Sequence, residues 1–324
     1  MLNDSPALRA SEAVLSSTPL AALDPNRPPW PGRAVAIDGR DTYLRHTPGG
    51  PGSEPALYVH GLGGSSTNWT DIAALLSPWL DAEAMDLPGF GHSEPAPRGG
   101  YTLGALSRRV AKVIERRGEP VHLFGNSLGG AIAVNVAATQ PDLVRTLTLI
   151  SPAMPDLRPR LSTDALLPLM AVPGLSTLAE RRLAKLTPRE RAQSVIDVCF
   201  ADPSVVPEHR LDEAAAEVER RRELDWAMDA FVRTLRGLIG YHLAPGPKSL
   251  WRTAAGVAAP TLIVWGRQDR LVSVSVAPKL AGIIPGSRLL LLDGIGHTAQ
   301  LEAPVTVARA VLGLLEDSEK AGPR

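Results

Sequence analysis

The sequence holds one cysteine, Cys199, in 324 residues. No disulfide can form within such a chain, and a lone thiol of this kind reads as a small buried apolar group rather than a reactive one. An excess of either charge is missing too: Lys and Arg total 34, Asp and Glu total 34, and the net charge is zero. Nothing here makes a basic face, so neither nucleic acid nor an anionic membrane surface is an expected partner. Lysine is scarce, at positions 112, 185, 248, 279 and 320, a bias we read as GC-rich coding rather than function. No uninterrupted apolar run is long enough to span a bilayer. The first residues lack the basic-then-apolar order of a secretory signal. A soluble, cytoplasmic protein is the resulting expectation, and the oligomeric state leaves no mark in the sequence.

What the chain does have is 44% apolar residues, enough for a sizeable core, set in an alternating pattern. Strand-like segments fall at Val35–Ile37, Tyr43–His46, Ala56–His60, Glu83–Asp86, Val121–Phe124, Leu143–Ile150, Thr261–Trp265 and Ser287–Leu292. Helical stretches separate most of them, at Trp69–Leu80, Thr102–Arg117, Leu128–Thr139, Val274–Ile284 and Pro304–Leu315. Alternation of this kind around apolar central strands predicts an α/β fold, with a mostly parallel central β-sheet covered by helices on both faces. The first two strands have no helix between them, which suits an antiparallel start. From about Ser151 to Leu250 the strands stop. Ala165–Met170, Glu190–Phe200 and Leu211 to about Tyr241 read as helices there, and an insertion of that size between two strands predicts an inserted helical cap over the carboxyl ends of the strands. The expected division is an N-terminal arm (1–32), a core (33–151 and 251–316), a helical cap (152–250) and a charged, fraying tail (317–324). Trp30 is the residue of the arm suited to anchor it.

Gly125-Asn126-Ser127-Leu128-Gly129 lies between the strand-like Val121–Phe124 and the Ala-rich helical stretch that follows. A serine on a strand-to-helix turn takes a tight, strained backbone, and a Cβ on either flanking glycine would strike a neighbouring strand or helix. Its hydroxyl then stands above the sheet edge, with the first N–H groups of the helix aimed at whatever it attacks. Ser127 is therefore a candidate nucleophile. It needs a base, and His297, in the Gly-rich loop Asp293-Gly294-Ile295-Gly296-His297 after the last strand, is the histidine placed to serve. His60 and His92 read as structural hydrogen-bonders and His122 as a satisfied strand residue, while His46, His209 and His242 have no supporting context. The base needs a carboxylate. Asp269, in Trp265-Gly266-Arg267-Gln268-Asp269-Arg270, fits, as the acid between nucleophile and base in chain order. Asp156 is the reserve acid, and Asp293 is expected to cap the histidine loop. An oxyanion hole needs two convergent N–H groups. Leu128 supplies one, and Leu62, in His60-Gly61-Leu62-Gly63-Gly64, the other.

These segments resemble the α/β-hydrolase superfamily with an inserted cap. The resemblance runs through His60-Gly61-Leu62-Gly63-Gly64, Asp86-Leu87-Pro88-Gly89-Phe90-Gly91-His92-Ser93, Gly125–Gly130, Gly266-Arg267-Gln268-Asp269 and Gly296-His297, in the superfamily's order. It implies a structural role for Asp86 and a serine hydrolase similar to carboxylesterases and lipases. Serine at 127 departs from the similar haloalkane dehalogenases and epoxide hydrolases, which use a carboxylate. Asn126, Gly130 and Gly296-His297-Thr298-Ala299-Gln300 resemble the meta-cleavage product hydrolases, which cut carbon–carbon bonds. Those enzymes carry Gly-Pro-Gly in the oxyanion loop and Trp after the histidine, where this chain has Gly63-Gly64-Ser65 and Thr298.

The expected reaction is hydrolysis of a carboxylic ester through an acyl-enzyme, without metal or organic cofactor. C–C cleavage is the second reading. A slow-turnover, ligand-binding relative is a third, because fold does not fix function. The apolar run Leu166–Pro173, with Trp226, Met228 and Phe231, favours a small-molecule substrate with a lipophilic group. The same stripe also reads as ordinary packing of cap helices on one another.

Overall fold

The computed structural model describes residues 11–156, 185–244, 246 and 249–320. In chain order its elements are β1 (Ser11–Glu12), β2 (Gly32–Ile37), β3 (Arg40–Thr47), β4 (Glu54–Val59), α1 (Thr70–Leu76), β5 (Leu80–Met85), α2 (Leu103–Arg117), β6 (Val121–Asn126), α3 (Leu128–Thr139) and β7 (Val144–Ile150). Then follow α4 (Pro188–Cys199), α5 (Glu208–Arg222), α6 (Ala227–His242), α7 (Leu250–Ala254), β8 (Thr261–Gly266), α8 (Val276–Ile283), β9 (Arg288–Leu292), α9 (Ala299–Glu302) and α10 (Pro304–Lys320).

The strands form one sheet in the order β1-β9-β8-β7-β6-β4-β5-β3-β2. β3 runs antiparallel to β2 and β5, and every other neighbour is parallel. All eight expected strands are present, and the hairpin start is antiparallel as the missing helix implied. Residues of β6 and β8 are buried throughout, as continuous apolar runs in a sheet covered on both faces should be. His122 is satisfied inside β6, with Nδ1 on Thr146 Oγ1 at 2.8 Å and Nε2 on Glu54 Oε2 at 2.9 Å. One apolar cluster joins the sheet to α2, α3, α7 and α8, and a second joins the other face to α1 and α10. The chain leaves β4 toward β5 on one side and returns to β6 on the other. That reversal of strand order opens a crevice at the carboxyl ends of β4 and β6, the usual ligand position in open α/β sheets.

Four features differ from the expectations. The helix after Trp69 ends at Leu76 rather than Leu80, because Pro78 offers no N–H to continue it and Leu80 already belongs to β5. The stretch from Leu211 to Tyr241 is two helices, α5 and α6. The break falls where Glu223 N and Leu224 N bond three residues back, to Arg220 O and Arg221 O. Tertiary contacts override helix propensity at that point: the arginines ending α5 hold core loops, while Phe231 and Leu235 of α6 pack with Leu62. The last helix continues through 317–320, where a fraying tail was expected. Its charges have partners: the Ser16 and Thr18 hydroxyls donate to Glu316, and Asp317 pairs with Arg288 and Lys320. Finally, β1 was not anticipated. It is two residues long and lies parallel to β9 at the sheet edge.

The arm is draped rather than free over its described part. Trp30 Nε1 donates to Thr70 O at 3.1 Å, and its ring packs against the α1–α10 cluster. Between 185 and 244 the described chain is helical and irregular, without strands. The expected helix Ala165–Met170 and the apolar run Leu166–Pro173 lie outside the described residues. Gly313 faces the arm so closely that a Cβ there would sit 2.1 Å from Val14 O. Gly313→Val is expected to push the arm off α10 at a cost of about 1–3 kcal/mol. Limited proteolysis should then cut between residues 11 and 31 well before the core, whereas unchanged resistance would contradict this packing.

Candidate active site

Ser127 sits between the last residue of β6 and the first of α3 with φ 53° and ψ −116°. A non-glycine residue in that region costs on the order of 1–3 kcal/mol unless its surroundings hold it. Here its N–H donates to Ile150 O at 3.1 Å, and its carbonyl accepts from Ala131 N at 3.1 Å and Ala153 N at 2.8 Å. The flanking glycines are steric necessities: a Cβ on Gly125 would lie 2.4 Å from Gly129 O, and one on Gly129 would lie 2.1 Å from Val59 O.

The loop after β4 comes against this elbow. A Cβ on Gly61 would be 3.1 Å from that of Ser127. Gly64 N donates to Gly61 O at 3.0 Å, closing a four-residue turn whose third member, Gly63, has φ +77°. His60 is buried beneath it. Its Nε2 accepts from Leu87 N at 2.9 Å, so Nδ1 carries the proton and donates to Gly61 O at 2.7 Å. Burial disfavours the imidazolium and lowers the His60 pKa despite nearby Asp86. Asp86 is itself buried and accepts from Ser66 N at 2.6 Å and His92 N at 2.8 Å. His92 thus contributes its backbone N–H, while its ring packs on Tyr43. Leu62 N–H has no hydrogen-bond acceptor among the described residues. Leu128 N–H opens α3, so helix geometry leaves it without an intrahelical one.

His297 is 3% exposed. Its Nδ1 lies 2.9 Å from Asp269 Oδ2. The other carboxylate oxygen of Asp269 accepts from Leu271 N and Val272 N, each at 2.9 Å. Burial works to raise the Asp269 pKa, but His297 and these N–H donors outweigh it and hold the carboxyl below its usual range. The neighbouring arginines are engaged elsewhere: Arg267 pairs with Asp293 at 2.9 Å, and Arg270 donates to Asp197 O and Ala201 O. That corrects the expectation for Asp293, whose exposed carboxylate is occupied by Arg267. Gly294 N is taken by Gln268 Oε1 instead.

Two residues with a part in this geometry were not singled out for it. Asn126 Nδ2 donates to Ile150 O at 3.0 Å and to His297 O at 3.2 Å, tying the elbow to the histidine loop. Glu302 gathers Gly296 N, Thr298 N and, from the cap, Ala201 N. His297 N in turn donates to Cys199 O at 2.7 Å. The end of α4 is therefore fastened to the histidine loop. Cys199 is half-buried there, and desolvation together with Asp269 and Glu302 pushes its thiol up to about 12.

Ser127, Leu62 and His297 line one cavity of about 1690 Å³, with Asp269 buried behind the histidine and Leu128 behind the elbow. Met154, Met228, Phe231, Leu235, Leu238 and Val272 give it an apolar wall. Trp226 does not line it and is 37% exposed. His242, from α6, donates from Nε2 to Ala153 O at 2.8 Å. The arm reaches the cavity as well: Leu23, Pro25 and Pro29 line it, and His209 of α5 bonds Pro25 O at 2.8 Å. Among the described residues no cluster of His, Cys, Asp and Glu could hold a metal ion, and no helix is long and apolar enough to cross a membrane.

The sequence model of the α/β hydrolase fold matches residues 55–304. The chain belongs to the α/β-hydrolase family. Relatives of this α/β hydrolase carry several names. It is 28% identical over 82% of its length to a "dihydrolipoyllysine-residue acetyltransferase component of acetoin cleaving system" from Cupriavidus necator, and spans 64% of that protein. It is 27% identical to a "2-hydroxy-6-oxononadienedioate/2-hydroxy-6-oxononatrienedioate hydrolase" from Klebsiella pneumoniae, over 86% of this chain and 92% of the relative. It is 26% identical to "Lipase 1" from Psychrobacter immobilis, over 90% of this chain and 86% of the relative.

Two measurements check the site's electrostatics. The folded-state pKa of Asp269 is lowered, so its ionised form adds stability that is complete above the unfolded value of about 3.9 and is lost as pH falls through the lower folded value. The stability gap between wild type and Asp269→Asn, read by denaturant titration, should shrink below about pH 4 and stay level above it. The Cys199 thiol should resist iodoacetamide at pH 8 in the folded protein and react once it is unfolded, by mass spectrometry.

Proposed function

We propose that this α/β hydrolase cleaves a carboxylic ester carrying a lipophilic group through an acyl-enzyme on Ser127. The observation that carries the reading is the strained Ser127 elbow sharing one largely apolar cavity with a histidine whose Nδ1 is bound to buried Asp269. With Nδ1–H donating to Asp269, His297 Nε2 is the free base. It takes the Ser127 proton as Oγ attacks the ester carbonyl, and Asp269 stabilises the imidazolium that forms. Leu62 and Leu128 N–H groups receive the developing oxyanion. His297 then protonates the leaving alcohol, and a water activated by the same nitrogen releases the acid. The chemistry asks for no metal or cofactor. The relative named Lipase 1 supports ester cleavage, as does the apolar wall, which can desolvate an acyl or alkyl chain.

C–C hydrolysis of a ring-fission product is a second reading. The Klebsiella pneumoniae relative and the Asn126, Gly130 and Gly296–Gln300 pattern favour it.

Purified protein assayed on p-nitrophenyl esters of increasing chain length and on a vinylogous diketone acid separates the readings. The ester series is expected to be turned over, best with a medium or long acyl chain, and Ser127→Ala should reduce kcat by on the order of 10⁶. A fluorophosphonate should label wild type and not Ser127→Ala. Cleavage of the diketone acid with no ester turnover would reverse the ranking. Labelling without turnover of either class would favour a slow, ligand-binding protein.

A further inference from the structure

Arg221, near the end of α5, carries a guanidinium from the cap to the oxyanion turn. Its Nη1 donates to Gly63 O, and its Nη2 donates to Gly64 O at 3.1 Å. Its Nε donates to Glu217 Oε1 at 2.8 Å. The same carboxylate accepts from Arg220 Nε at 3.0 Å and Nη2 at 2.8 Å, and Arg220 also donates to Gly91 O. Arg220 and Arg221 outweigh the effect of burial and keep the Glu217 carboxyl below its ordinary range, so it is a fixed anion. It orients two guanidinium groups onto two core loops.

The turn gives this grip its meaning. Gly61 O is already occupied by His60 Nδ1 and Gly64 N. Arg221 takes the carbonyls of Gly63 and Gly64. Gly61, Gly63 and Gly64 thus each have a carbonyl held, while the Leu62 N–H is left without an acceptor among the described residues. Two successive glycines have no Cβ to restrict them, so their peptide planes rotate at little steric cost unless something holds both. A guanidinium can, because its planar fork presents parallel N–H groups to adjacent acceptors. An ammonium can hold only one in fixed direction. An oxyanion donor contributes to rate only if it is aimed before the charge develops.

We propose that Arg221 is a positioning residue for the oxyanion hole: from the cap, it locks the Gly63 and Gly64 peptides so that Leu62 N–H stays aimed at the site of negative charge. The inference rests on the acyl-transfer reading given above. The cap is then part of the catalytic apparatus and not only a cover for the substrate.

The test compares Arg221→Met and Arg221→Lys on a p-nitrophenyl ester that wild type hydrolyses. A trifluoromethyl ketone serves as the probe of oxyanion binding, read by its protection of Ser127 from the fluorophosphonate. Arg189→Met is the control, an exposed cap arginine paired with Glu208 and Asp212. Arg221→Met is expected to lower kcat about 10- to 100-fold with KM within about twofold, and to weaken the ketone by about the same factor as kcat/KM. Arg221→Lys should recover part of both, and Arg189→Met should change neither. If Arg221→Met does not fold, Glu217→Gln should give a smaller loss with the same pairing of kcat and ketone affinity. Unchanged kcat in the folded variants would overturn the proposal. So would a fall in kcat or a rise in KM with undiminished ketone affinity, which would make Arg221 a fastener of the cap alone. Ser127→Ala separates the two levels. Turnover that survives it defeats the acyl-transfer reading, whereas turnover that it abolishes, with Arg221→Met at wild-type rate, defeats only this inference.

Discussion

The left-handed backbone at Ser127 is the constraint around which the site is organised. It is held by hydrogen bonds to the end of β7 and to the segment after it, and by the first turn of α3. Relaxing it would require a Cβ-free approach to become looser, yet Gly125 and Gly129 are packed against backbone with no room for a side chain. The sheet's strand order sets the neighbours of this point. β4 lies on one side and delivers the Gly61–Gly64 turn, while on the other, beyond β7, β8 and β9 lead into the Asp269 and His297 loops. Parallel pairing puts all these strand ends at one edge, so loops far apart in the chain meet there without any of them being long.

The strands and the residues around the cavity were legible in the sequence because their signals are local. An apolar run bounded by glycine marks β6 or β8 by itself, and Gly-x-Ser-x-Gly between strand and helix marks a turn with one geometric solution. Asp269 and His297 follow the ends of strands, where loops carry side chains to the crevice. What could not be read was anything whose meaning depends on a distant partner. Glu302 looks like a helix-terminal charge until Ala201 N, 101 residues away, is seen on its carboxylate. Arg221 is one of three successive arginines on a polar helix until its partner at Gly63, 158 residues away, is known. The same reason hid β1, since two residues carry no periodicity and acquire strand geometry only from β9. It also misled the reading of 316–320, where charge suggested fraying while the arm supplied hydroxyl partners and β9 a salt partner.

Among the described residues, the cap meets the two loops that flank the cavity through different chemistry. At the histidine loop the contacts are backbone to backbone and backbone to carboxylate: Cys199 O on His297 N, Ala201 N on Glu302. At the Gly61–Gly64 turn they are guanidinium to carbonyl, reinforced by Phe231 against Gly63. Charged hydrogen bonds of this type are stronger than neutral ones and directional. α4 and α5 are thus joined to the two loops that flank the cavity, and movement of either helix would be transmitted to those loops. The low exposure of His297 follows from the same enclosure, which leaves the imidazole accessible through the cavity and little else.

The clasp between the arm and α10 has a consequence for how the molecule is made. Ser11 and Glu12 pair with β9, Ser16 and Thr18 meet Glu316, and Pro25 meets a helix of the cap. On the ribosome this early segment emerges long before the residues that receive it. It must stay unpaired until nearly three hundred further positions have been translated. Contacts of such long sequence separation form late in folding. The wall of the cavity built by Leu23, Pro25 and Pro29 is therefore expected to close last, over a core that is already assembled.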